Sequence, residues 1–394
     1  MSNKVRNILT VLMLVLLAAS AFAAGYMAND LLALRNGSVH AREEFDLFWE
    51  AWAFVEKDFL GELPTNQTLT HAAIRGAITT LEDPYTVFVE PVARDREREA
   101  LQGRFGGIGA YLSRPEDGGD VLLEPIPGNP AELAGILPGD VLLAVDGTAV
   151  TPDMTVSAVA DLIRGEKGTT VVLTVRHPNA AAPVDVAVVR DDILLPSVSY
   201  RLLEDTTIGY IQLTRFSAES ANEIAQALTA LQEQGATQLI LDLRQNGGGL
   251  LDAAVAVADH FLDGGPVLIQ ISRNQGERVF NATPKTLAPD APLVLLVDGG
   301  TASAAEILAG ALQDRGRAVL IGAQTFGKGS VQLVYDLSDG SSVHVTSARW
   351  YTPERQALDA QGLAPDILVE ITQEAIDNGR DEMLQRAIEY LQVQ

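Results

Sequence analysis

Cysteine is absent from this chain of 394 residues. That removes disulfides, thiolate catalysis and cysteine-ligated zinc together, and it leaves no redox address. Histidine is scarce: the five residues at 40, 71, 177, 260 and 344 are scattered. None falls in an H-E-x-x-H pattern or beside clustered carboxylates, so neither a metal nor a cofactor is implied. The phosphate loop G-x-x-x-x-G-K-[ST] and the nucleophile elbow G-x-S-x-G are also missing. Basic charge is short, with 28 Lys and Arg against 52 Asp and Glu and a net charge of -24. A body so acidic is a poor partner for nucleic acid. Low-complexity stretches and sequence repeats are lacking too.

What remains is enough for a large fold. Hydrophobic residues make up 47% of the chain, so sizeable cores can be buried, and the length suits two or three domains of about 150 residues. The N-terminus stands apart. Lys4 and Arg6 precede an uncharged run from Asn7 to Asn29, about the length that spans a bilayer as a helix, roughly 20 residues. "AFA" at 21–23 fits a signal-peptidase site. Residues 1–30 therefore read as a cleaved signal or a membrane anchor, with the body outside the cytoplasm. A buried N-terminal helix is the alternative.

Residues 41–100 are helical in pattern. Phe45, Phe48, Trp49, Trp52 and Phe59 fall near helical spacing, the mark of a core face. A second helix, with Thr68 as candidate N-cap, stops at "EDPY", where Pro84 disfavours helix for Asp83. "VARDREREALQ" reads as a third, charged and exposed. Between 103 and 180 the pattern changes to short strands with two short helices, a compact β-rich module. From 190 to 370 strands such as "IGYIQL", "QLILDLR", "PLVLLVDG" and "AVLIG" alternate with amphipathic helices. That order implies an α/β layer domain with its site at the C-terminal strand ends. A helix over 371–394 closes the chain.

Three glycine-bearing corners of the α/β region could carry chemistry. In "VDGGTASAAEIL", Ser303 stands between a strand and a helix, where unpaired N–H groups point outward. It reads either as a nucleophile or as a cap, with Glu306 completing a capping box, and the two are compatible. The small residues 299–302 leave room for a ligand backbone. In "TFGKGSVQ", Lys328 lies between two glycines, with Gln332 four residues on. Loops after neighbouring strands can meet, and a lysine deprotonates a serine only when desolvation lowers its pKa. Otherwise Lys328 is a solvated loop lysine. In "LDLRQNGGGLLDAA", Gly247, Gly248 and Gly249 offer bare N–H groups at a helix start, or form a plain tight turn. His260 or His344 could complete a triad with Ser303, since triads assemble in space. Structural histidines are the plainer reading.

Taken in order, "LDLRQNGGGLL", "GGTASAAEILAGAL" and "GKGSVQ" resemble the carboxyl-terminal processing protease family, the tail-specific serine peptidases. "LEDPYT", "GRFGGIGAYL", "SARWYTP" and "GLAPDI" add to the likeness, which covers about 45–370. The resemblance implies an α/β core of crotonase- or ClpP-like β-spiral type, an inserted PDZ domain and flanking helices. It implies Ser303 as nucleophile, Lys328 as general base and Gln332 as the residue that positions the lysine. The oxyanion hole would use the N–H groups of Ala304 and Gly248. "NGGG" and "VDGG" stand where the family carries "NPGG" and an Asn–Glu pair. Gly106, Gly107, Ile108 and Gly109 would form the loop that catches a C-terminal carboxylate. The partners expected are protein or peptide substrates with free C-terminal tails, from the resemblance, the membrane through the N-terminal segment, and a second copy of the chain as a homo-oligomer, from the apolar helices at both ends. Two alternatives stay open: a membrane-tethered, non-catalytic PDZ scaffold, and a crotonase-like acyl-transfer enzyme. The latter explains neither the inserted module nor the export signal.

Overall fold

The computed structural model describes residues 45–393 apart from 116, 117, 285 and 289. The expected signal or anchor over 1–30 lies outside the described residues. Among those described, no helix is long and apolar enough to cross a membrane. The described residues fall into two compact units, divided between Ala73 and Ile74.

In the first unit, α1 (Asp46–Asp58) forms where the aromatic spacing predicts, yet none of its residues is buried. Phe45, Trp49 and Phe59 are each at least half exposed. The expected core face is therefore corrected to an exposed aromatic face. Its rings meet their own helical neighbours, with Phe48 edge-on to Trp49 at 5.0 Å. Periodicity says that a face is apolar, not that something covers it. The next helix, α2 (Asn66–Thr79), is capped by Thr65 rather than Thr68: the Thr68 N–H donates to Thr65 Oγ1 at 3.2 Å.

The second unit opens with β1 (Val87–Val89) and α3 (Pro91–Gln102), which starts on a proline and ends at Gly103 with φ 73°. The positive φ stops the helix at little cost because glycine has no Cβ. Then β2 (Arg104–Gly107) leads into the β-rich module of β3 (Ala110–Ser113), β4 (Val121–Pro125), α4 (Pro130–Leu133), β5 (Asp140–Val145), β6 (Thr148–Ala149), α5 (Val156–Ile163), β7 (Thr170–Arg176) and β8 (Val184–Val189). The module's strands are antiparallel in the order β3-β4-β5-β7-β8, with β6 on β5. They close over their own core, which includes Val121, Leu123, Leu142, Val171 and Leu173. The sheet runs to Val189, past the limit at 180 expected from sequence, because β8 returns after the polar turn near 177–183. The way out is β9 (Asp191–Leu194), which pairs antiparallel with β2, so the module's entry and exit form one two-stranded stem.

The remaining elements are β10 (Val198–Leu202), β11 (Ile208–Leu213), α6 (Ser220–Glu233), β12 (Gln238–Asp242), α7 (Leu251–Ala258), β13 (Gly265–Ser272), β14 (Gly276–Ala282), β15 (Leu293–Val297), α8 (Ala304–Asp314), β16 (Val319–Gly322), β17 (Ser330–Asp336), β18 (Ser342–Tyr351), β19 (Ile367–Leu368), α9 (Gln373–Asp377) and α10 (Glu382–Gln392). A six-stranded sheet runs β10-β11-β12-β15-β16-β19, parallel from β11 onward. Side chains alternate across it with period two. Ile211, Leu241, Leu295 and Leu320 face the core shared with α6, α7 and α8. Tyr210, Ile240, Val294 and Ile321 face Met383, Ala387 and Leu391 of α10. A parallel sheet covered on both faces is why its strands read as continuous apolar runs. A second, antiparallel sheet holds β1-β18-β13-β14, with β17 on β18.

An ion cluster fastens α10 to the sheet. Asp242 is fully buried and accepts from Tyr210 Oη at 2.7 Å and from Arg244 at 2.6 Å. The Arg244 fork also reaches both oxygens of Asp381, at 2.7 and 2.8 Å. Asp381 in turn caps α10 through the Leu384 N–H. Burial pulls the guanidinium pKa down, but the hydrogen bonds to the two carboxylates raise it further above its usual range. Arg244→Met would strand Asp242 without a cation. A loss of about 3–5 kcal/mol of stability is expected, read as a lower urea midpoint at unchanged slope.

Candidate active site

The parallel sheet places its loops at the C-terminal ends of β11, β12, β15 and β16, and the site is built there. The turn after β15 is pinned from below. Thr301 is fully buried and its hydroxyl donates to Leu243 O at 2.9 Å. Ala302 N–H donates to Asn246 O at 2.9 Å, and the Asp298 carboxylate accepts from the N–H groups of Gln245 and Gly300. A Cβ on Gly300 would sit 2.7 Å from the Gln245 amide nitrogen. Gly300 thus fits this turn against the chain's own neighbouring loop, whereas the sequence suggested clearance for a ligand.

Held this way, Ser303 takes φ 56° and ψ −118° just before α8. For a residue with a Cβ such a backbone costs about 1–3 kcal/mol, and it persists only where the surroundings fix it. Glu306 supplies the fixing. Its carboxylate is fully buried and accepts four hydrogen bonds. Oε2 takes the N–H of Ser303 and the N–H of Lys328, each at 2.9 Å. Oε1 takes the Gly327 N–H at 2.8 Å and the Thr325 hydroxyl at 2.6 Å. One oxygen therefore joins the serine turn to the lysine loop. In the sequence Glu306 is legible as a capping-box partner, but its reach to residues 325–328 is not.

Lys328 and Gln332 come together as the spacing suggests, since Lys328 Nζ donates to Gln332 Oε1 at 2.9 Å. Gln332 Nε2 donates to Tyr85 O, and the Tyr85 ring lies 5.3 Å from the ammonium. The "EDPYT" loop is thus the support of the lysine. Asp83 shapes it by accepting from the Tyr85 N–H at 3.1 Å and the Thr86 hydroxyl at 2.6 Å. Burial lowers the Lys328 pKa from its ordinary value, and the negative charge of Glu97 opposes part of that shift. Glu97 belongs to α3 and is held by Arg94 at 2.7 Å and His344 Nε2 at 3.2 Å. No hydrogen bond joins Lys328 Nζ to Ser303 among the described residues. Both nevertheless line one cleft of about 690 Å³, together with Gly247, Gly248, Gly249 and Gln332.

Gly248 lies against the serine: a Cβ there would come within 2.9 Å of Ala302 O, Ala304 N and Ser303 Cβ. Its φ of 99° also favours glycine. Its N–H donates to Asn246 Oδ1 at 2.9 Å, whereas those of Gly247, Gly249 and Ala304 have no acceptor among the described residues. Asn246 is fully buried and also donates to Leu213 O at 2.7 Å, so it ties the glycine loop to β11. Its role carries no sequence signal beyond its place before the glycines. His260 points elsewhere, its Nε2 2.8 Å from Ala221 O, while His344 lines the cleft beside Glu97. In the β-rich module, Gly106 and Gly107 lie in β2. Ile108 is buried and Gly109 has φ 69°. A Cβ on Gly106 would strike Gly165 O.

Known proteins bear on this arrangement. Residues 207–369 match the model of peptidase family S41, and 121–177 match a PDZ domain. The chain is 38% identical over 348 residues to the carboxyl-terminal-processing protease of Picosynechococcus sp. (strain ATCC 27264 / PCC 7002 / PR-6), covering 83% of each. It is 34% identical to the carboxy-terminal processing protease CtpA of Bacillus subtilis (strain 168), over 92% of this chain and 76% of that one. The chain belongs to peptidase family S41. It is a serine-type peptidase of the carboxyl-terminal processing class with a PDZ domain. Among solved structures, a photosystem II D1 C-terminal processing protease is 36% identical, with a TM-score of 0.46, over 81% of this chain and 86% of that one.

Glu306→Gln tests the junction. An amide puts a donor where a carboxylate oxygen now takes two donors, at about 1–3 kcal/mol for each left unpaired. The variant is expected to melt at lower temperature and to lose at least about a hundredfold in peptide cleavage. Unchanged melting and cleavage would refute the role of this carboxylate.

Proposed function

We propose that the chain is an extracytoplasmic endopeptidase that takes protein C-terminal tails into its PDZ domain and cuts them with Ser303 and Lys328. The observation that carries the reading is the shared Glu306 Oε2, which holds the serine turn and the lysine loop as one unit. In this reading the amine of Lys328 is neutral, and one of its N–H groups is fixed on Gln332 Oε1. Its lone pair takes the proton of Ser303 Oγ as the oxygen adds to the peptide carbonyl. The oxyanion is met by the Ala304 N–H at the start of α8 and by the Gly248 N–H. The latter donates to Asn246 Oδ1 in the free protein, so substrate shares or displaces that contact. Collapse breaks the C–N bond, and the Lys328 ammonium returns its proton to the leaving amine. Water then hydrolyses the ester by the same base, freeing the serine.

The PDZ domain would hold the tail as an added strand, with its carboxylate on the N–H groups of the 106–109 loop. Those of Ile108 and Gly109 have no acceptor among the described residues. The uncharged segment behind Lys4 and Arg6 supports action outside the cytoplasm, tethered or secreted. The repeated βα order supports reading the core as a crotonase-like β-spiral.

Ser303→Ala and Lys328→Ala should each abolish cleavage of an unstructured protein at unchanged circular dichroism; full activity in either sinks the assignment. The rising limb of kcat/KM should lie below the ordinary lysine value of about 10.4, because burial favours the neutral amine. Removing the opposing charge with Glu97→Gln should move that limb to still lower pH. Gly247→Pro discriminates the oxyanion donors. A Cβ there meets open space and proline deletes only the Gly247 N–H, so cleavage should survive if Gly248 is the donor and vanish if Gly247 is.

A further inference from the structure

Two arginines in the catalytic cleft have no carboxylate partner. Acidic residues outnumber basic ones 52 to 28, and many arginines pair with one, although Arg114, Arg190 and Arg317 settle on backbone or hydroxyl oxygens instead. Arg176 pairs with Asp120, Arg355 with Glu277 and Arg244 with Asp381. Arg215 and Arg278 line the cleft with Ser303 and Lys328, and neither forms an ion pair among the described residues. Arg215 donates through Nη2 to Leu195 O at 2.7 Å, while its Nε is buried without an acceptor. The Arg278 guanidinium lies over the Phe280 ring, 4.2 Å from its centre, and its side chain makes no hydrogen bond among the described residues. Arg215 is half-buried and Arg278 exposed, and a guanidinium without a carboxylate of its own can receive one, which it can bind bidentately.

Their places relative to the serine follow from the backbone. Phe216, next to Arg215, donates its N–H to Gly248 O at 2.9 Å and accepts from the Leu250 N–H at 2.9 Å. Gly248 in turn abuts Ser303. Arg215 therefore stands one residue from the strip that flanks the glycine loop. Arg278 lies further out along a row: it pairs with Gln270 on β13, which pairs with Trp350 on β18. Trp350 N–H donates to Gly329 O at 2.7 Å, next to Lys328. Three strand spacings of about 4.8 Å put β14 roughly 14 Å from the lysine segment, a span of about four residues of extended peptide. The cleft also carries acidic groups. Glu97 is engaged by Arg94 and His344. Asp252, on the first turn of α7, is exposed and makes the cleft bipolar rather than uniformly cationic.

We propose that the cleft selects peptides bearing a carboxylate within about four residues of the scissile bond, read by Arg215 and Arg278. The inference rests on the peptidase reading above. The carboxylate belongs either to an Asp or Glu side chain or to the free C-terminus of a substrate cut very near its end.

The test uses the full chain and three peptides of one sequence: an internal Glu with a C-terminal amide, an internal Gln with a C-terminal amide, and an internal Gln with a free C-terminus. Cleavage is measured as kcat/KM, and binding by fluorescence anisotropy to the Ser303→Ala variant, each with and without Arg215→Gln and Arg278→Gln. A carboxylate-bearing peptide should be favoured by about tenfold or more over the neutral one, and high salt should shrink that ratio. The ratio should fall with Arg278→Gln alone, which breaks no hydrogen bond, and approach one in the double variant. An effect of the internal Glu identifies a side-chain carboxylate, and an arginine-dependent effect of the free terminus identifies the tail. Equal binding of all three peptides, or a preference that survives both substitutions, overturns the proposal. Arginine-dependent binding without cleavage above the Ser303→Ala background would uphold this inference and sink the peptidase reading.

Discussion

The site depends on one buried carboxylate. Glu306 accepts the N–H of Ser303 and the N–H of Lys328 on the same oxygen, and two further donors on the other. The strained backbone of Ser303 would otherwise relax, since nothing intrinsic to serine favours φ 56°. The start of α8 adds a favourable dipole for that charge. Four donors satisfy the carboxylate, so its burial is tolerated. The same contacts fix where the lysine loop can lie.

Around that junction the fold distributes its labour. The parallel sheet brings the ends of β12, β15 and β16 side by side, and α6, α7 and α8 pack one face while α10 packs the other. The antiparallel sheet supplies Gln332 and the cleft wall. The linker helix α3 supplies Glu97, whose charge opposes the desolvation of Lys328. Because α3 runs directly into the stem of the PDZ module, the environment of Lys328 and that module share one element.

Much of this was legible in the sequence, and the reason differs by residue. The buried strands announced themselves as apolar runs, and the turns at 247–249 and 299–300 as glycine clusters. Lys328 and Gln332 stood at a spacing that a loop entering a strand can bring together. The β13–β14 hairpin escaped notice because its alternation is broken and half exposed. The aromatic face of α1 looked like core because period reports amphipathicity and not cover. Asn246 and the longer reach of Glu306 escaped because their partners lie far along the chain. A buried polar side chain is read from its donors and acceptors, and those exist only once the loops have met.

The central claim is that Glu306 makes the serine turn and the lysine loop a single unit, and a double-mutant cycle measures it most directly. The rate of Ser303 phosphonylation by a fluorophosphonate, in which the serine oxygen displaces fluoride at phosphorus, would be followed in the wild type, Glu306→Gln, Lys328→Ala and the double variant. The account predicts strong non-additivity: once Lys328 is gone, Glu306→Gln removes far less than it does in the wild type. Equal factors in both backgrounds would mean that the carboxylate holds the serine alone, and would contradict the account.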